Sequence, residues 1–96
     1  MVKFGLSLSF QIHPGLGERW DTSYRESLEL ASEANRLGFE SLWVSEHHGE
    51  ADGYCPSPVV ACAALAVAAP NCRISARAWR WRRCTAIRCG WPRTCR

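Results

Sequence analysis

Glu46, His47 and His48 stand together directly after an apolar segment, and their side chains are the ones best suited to moving protons. An imidazole exchanges protons near neutrality, and a neighbouring carboxylate can fix its tautomer or raise its pKa. Adjacent side chains on extended backbone point in opposite directions, so the two histidines are poorly placed to share a metal ion. The four-residue helical spacing of a metalloprotease histidine pair is missing. The plain alternative is a loop bearing two surface histidines. His13 reads as a loop residue. The six cysteines form no CxxC pair, and Cys62 lies in an apolar helical run where a thiol serves as small core filler. Without a secretory context they do not define a disulfide framework.

The elements that must position these groups are legible from periodicity. Phe4, Leu6, Leu8 and Phe10 alternate with Gly5, Ser7 and Ser9, which predicts a strand. A loop follows with Pro14, Gly15 and Gly17. Ser23 and Glu26 have capping-box spacing. Behind them Tyr24, Leu28, Ala31, Ala34 and Leu37 recur at helical intervals, opposite Arg25, Glu29, Glu33 and Arg36. Gly38 supplies a left-handed stop. Phe39 to Ser45 predicts a second strand, and residues 46–56 a polar loop. Ser57-Pro58 makes an N-cap and first-turn pair, opening an Ala- and Val-rich helix to Ala69. Cys72-Arg73-Ile74 begins a third strand.

Strands alternating with helices predict a parallel α/β sheet. Both a doubly wound sheet and a (β/α)₈ barrel open this way. A dinucleotide fold calls for GxGxxG after the first strand, and Pro14-Gly15-Leu16-Gly17-Glu18 has the wrong spacing. The barrel is therefore preferred, and in a barrel the carboxyl ends of the strands carry the chemistry. That places Glu46, His47 and His48 in the catalytic position.

The 96 residues suffice for one small domain. The opening residues lack the apolar core and cleavage site of a secretory signal. Val59 to Ala69 falls well short of the roughly 20 residues of a membrane helix. A cytoplasmic location without membrane attachment is expected. The formal charge of +3 conceals a split. Through Cys72, four basic residues face nine acidic ones, whereas from Arg73 onward there are eight arginines and no acid. Such asymmetry marks a change of character near residue 73.

Across residues 2–74 the chain resembles the bacterial luciferase-like monooxygenases. The resemblance rests on Phe4-Gly5-Leu6, on Leu37-Gly38-Phe39-Glu40-Ser41-Leu42-Trp43, and above all on Val44-Ser45-Glu46-His47-His48-Gly49. Ser57-Pro58-Val59-Val60-Ala61 and Cys72-Arg73-Ile74 continue it. It implies a partial (β/α)₈ barrel, made of two βα units and the start of a third strand. It also implies reduced FMN or a deazaflavin as cofactor, a small organic substrate and oxygen as reactants, and a dimeric parent. By position His47 becomes the proton-transfer residue beside the flavin, with Glu46 and His48 flanking and orienting it. Phe10, at the mouth end of the first strand, would lie close to the flavin ring. The family's principal phosphate-binding groups come from later strands.

The expected organisation is a barrel fragment over residues 1–74 and an irregular, disordered tail over 75–96. Arg77-Ala78-Trp79-Arg80-Trp81-Arg82-Arg83-Cys84 begins an acid-free run of arginine, tryptophan and cysteine. One reading is a binding element, since basic residues interleaved with aromatics grip nucleic-acid backbones or anionic membranes. The preferred reading is translation out of frame, because GC-rich DNA read off-register yields this composition. Shifting the frame from the Ala78–Trp79 junction permits Val-Ala-Leu-Ala-Pro-Leu-His-Gly-His-Pro-Leu-Arg-Leu-Ala-Glu-Asp-Leu. That string resembles the family's continuation after its third strand and places a slip between Ile74 and Ala78. A complete barrel runs to about 250 residues. The chain alone is therefore expected to fold poorly and to be inactive.

Overall fold

The computed structural model describes residues 1–46, 55 and 57–78. A three-stranded parallel sheet of order β1-β2-β3 is formed by β1 (Gly5–Leu8), β2 (Ser41–Glu46) and β3 (Arg73–Ala78). The helices α1 (Trp20–Arg36) and α2 (Pro58–Ala68) connect the strands. Gly5 pairs with Ser41, and Ser41 with Arg73, so the amino-terminal ends of the strands are level. At the other end Glu46 pairs with Ala78. Strand β3 thus continues past Ile74, where the sequence pattern marked only its beginning.

Alternation along each strand decides which face is dry. Leu8, Leu42 and Val44 are buried on the helix-facing side, with Leu6 and Ile74 packed against them. The helices answer with Ala31, Ala34, Ala61 and Leu65. Small alanines let α1 and α2 approach closely, while Leu42, Val44 and Leu65 are completely shielded from solvent. Burying each of these aliphatic side chains contributes about 1.5–3 kcal/mol. On the opposite face stand Ser7, Ser41, Trp43 and Ser75, with the Trp43 indole N–H donating to Ser41 Oγ at 3.2 Å. Gly5 makes room for this pair, since a Cβ there would meet Ser41 Oγ at 2.6 Å.

Several details differ from the sequence pattern, including β1 ending at Leu8 and β2 spanning Ser41–Glu46. Phe4 is 63% exposed and lies below the strand, its ring 6.2 Å from that of Phe39. Helix α1 begins a turn earlier than the capping-box spacing indicates, with Arg19 as N-cap and Asp21 in its first turn. Asp21 is favourably placed at the positive end of the helix dipole, and Arg19 Nε donates to its carboxylate at 2.9 Å. Ser23 is therefore interior to the helix, and its hydroxyl donates to the Gln11 carbonyl at 3.0 Å. Leu37, on the expected apolar stripe, caps the helix and is exposed.

The helix stop is as predicted. Gly38 has φ +83°, the Phe39 N–H donates to the Ala34 carbonyl, and the Gly38 N–H donates to that of Asn35. This is a Schellman arrangement. Ser57 and Pro58 occupy the predicted N-cap and first-turn positions of α2, with no capping bond from the Ser57 side chain. Among the described residues no helix is long and apolar enough to cross a membrane.

Candidate active site at the carboxyl ends of the strands

Parallel pairing puts the carboxyl ends of all three strands on one edge of the sheet. Glu46 is the last residue of β2 and is half-buried. Phe10 lies two residues past the end of β1, on the same edge. Two of the predicted site residues thus stand at or just beyond carboxyl ends of neighbouring strands. His47 and His48 follow Glu46 and lie outside the described residues, as does the segment from Trp79 to Arg96.

Phe10 is 2% exposed, and its ring centroid is 4.8 Å from that of Tyr24 on α1. Its backbone is left-handed, with φ +53°. A side chain with a Cβ pays about 1–2 kcal/mol for that geometry, and the aromatic contact with Tyr24 offsets about 0.5–1.5 kcal/mol of it. This left-handed residue stands two positions after β1 ends. The Ser23 hydroxyl then holds the Gln11 carbonyl, and the His13 N–H donates to Glu18 Oε2 at 2.7 Å. Backbone strain of this kind gathers where surrounding structure imposes it.

Tyr24 and Cys55 complete the cluster, and sequence reasoning had not assigned either to the site. Cys55 is fully buried just ahead of α2 and also has a left-handed backbone, φ +40°. Burial pushes its thiol pKa up, and the negative charges of Cys62 and Glu46 push in the same direction, against a backbone hydrogen bond from Ser57. Burial likewise raises the Tyr24 phenol, with Cys55 adding to it. Both groups are therefore neutral over the physiological range. Both belong with Phe10 to the core between the sheet and the helices, Cys55 fully buried and Tyr24 half-buried. Tyr24 could have been found from sequence as the first inward position of α1, next to the mouth. Cys55 carries no such signal, lying in a stretch that reads as polar loop.

Two surface clefts, of about 520 and 430 Å³, open around the loop after β1. Gln11 and Glu18 line both, and neither reaches Phe10 or Glu46. Among the described residues, no group of three or more His, Cys, Asp or Glu side chains is arranged to hold a metal ion. Cys55, Cys62 and Cys72 are free thiols.

Residues 2–77 match the family described as luciferase-like monooxygenase. The chain belongs to that family. The match runs to Arg77, three residues past the limit read from motifs. This luciferase-like chain is 44% identical over 57 residues to 4-hydroxyprotoasukamycin monooxygenase of Streptomyces nodosus subsp. asukaensis, covering 59% of the chain and 15% of that protein. Its fold is similar to that of the oxygenating constituent of 3,6-diketocamphane monooxygenase, a type II Baeyer–Villiger monooxygenase from the CAM plasmid of Pseudomonas putida solved with FMN. The TM-score is 0.67 at 22% identity, over 79% of this chain and 20% of that one. The luciferase-like chain spans about a fifth or less of the length of either protein. Its β1-α1-β2-α2-β3 unit is a partial (β/α)₈ barrel, as the sequence predicts.

Proposed function

We propose that this chain supplies the opening strands, and one wall of the active site, of a flavin-dependent monooxygenase acting on a small organic substrate with oxygen. The observation that carries this reading is the position of Glu46 at the carboxyl end of β2, with His47 and His48 next in sequence, in a family-matched barrel unit. His47 transfers the proton, while Glu46 and His48 orient its imidazole. Reduced FMN, or a deazaflavin in its place, supplies the redox chemistry when bound. The buried Phe10 ring, packed on the half-buried Tyr24, and the buried Cys55 thiol back this edge of the sheet with apolar, neutral groups. FMN is favoured by its presence in the structurally similar diketocamphane enzyme. The phosphate is held by later strands of the barrel, and the working protein is a dimer.

The same proposal includes a change of reading frame. The family match to Arg77 and the strand pairing to Ala78 support a switch at the late end of the Ile74–Ala78 interval, with out-of-frame residues following. The chain by itself is then inactive. The test restores the frame after Ala78, expresses the resulting protein, and measures FMN binding and oxygen-dependent turnover. Turnover that falls about 10²–10⁴-fold in His47→Ala, with FMN affinity retained, is the expected result. Stop codons immediately after the switch in the alternative frame would overturn the frame reading. A restored protein whose turnover is indifferent to His47 would overturn the site assignment. Purification of the 96-residue chain as a soluble monomer with a cooperative melt and stoichiometric FMN would overturn its inactivity.

A further inference from the structure

We draw no further inference here: the strongest candidate, the uncharged outward face of α2 bearing Val59, Val60 and Val67, is an unpartnered apolar patch, and nothing in the structure shows what covers it.

Discussion

Gly38 and Phe10 both adopt left-handed backbone, but for opposite reasons. At Gly38 the conformation costs little and closes helix α1, and a Cβ there would meet no atom within 4 Å. Gly38→Ala therefore tests backbone strain without steric conflict. In the frame-restored protein it should lower stability by about 1 kcal/mol, read from the urea midpoint, and Gly38→Asn should cost less. Equal midpoints for glycine and alanine would contradict the left-handed assignment. At Phe10 the strain is held by burial and by Tyr24, so Phe10→Ala should cost about 3–5 kcal/mol through loss of the ring. Alternation in the sequence marked Phe10 as an apolar position but ran the strand through it, whereas β1 ends at Leu8 and Phe10 is buried beyond it. It could not reveal the positive φ, because residue type and spacing carry no signal for a left-handed phenylalanine. Ionisation of the site adds a pH dependence. The folded-state pKa values of Cys55, Cys62 and Tyr24 are all raised, so their stabilising contribution is complete below the unfolded-state values and is lost as pH rises through the folded ones. Urea midpoints should fall as pH climbs beyond the ordinary thiol and phenol values of 9.0 and 10.0. Cys55→Ala should flatten the first part of that decline.

At the scale of the element, the two helices differ in what they show to water. The outward side of α1 carries Arg25, Glu29, Glu33 and Arg36, with Arg36 paired to Glu33. Helix α2 has no charged residue, and Val67 on it is 85% exposed. Val67→Glu should change folding stability by no more than about 0.5 kcal/mol while raising the soluble fraction of the 96-residue chain. Light scattering at matched concentration checks this, and unchanged aggregation would assign the association to another surface. The helix periods were legible because apolar spacing survives in any environment. The start of α1 was not, since Ser23-x-x-Glu26 satisfies the capping-box pattern while the actual cap, Arg19, makes no side-chain capping bond. Local chemistry named a plausible cap, but tertiary structure directed the Ser23 hydroxyl to Gln11 instead.

Over the whole molecule, the order of elements and the parallel sheet could be read from the sequence, as could the edge that carries Glu46. The burial of Cys55 could not, because Cys55 lies in a part of the sequence with no periodic signal. Among the described residues β1 and β3 each present one unpaired edge, which invites pairing between molecules. The opposite end of the sheet is closed by a seam of bonds. Lys3 pairs with Glu40, the Glu40 N–H donates to the Phe4 carbonyl, and the Arg73 N–H donates to the Glu40 carbonyl. Asn35 Oδ1 accepts the Asn71 N–H, and the Cys72 thiol donates to the Phe39 carbonyl at 3.2 Å. Asn35→Ala should cost about 1 kcal/mol in the urea midpoint of the frame-restored protein and leave its turnover number unchanged. A loss of turnover at full occupancy would show that the two ends are coupled. The seam joins the entries to all three strands, the end of α1 and the turn after α2. If the proposed site holds, substitutions at the carboxyl edge can accumulate residue by residue while the other end keeps its shape, so architecture and specificity occupy separate addresses in the same short chain.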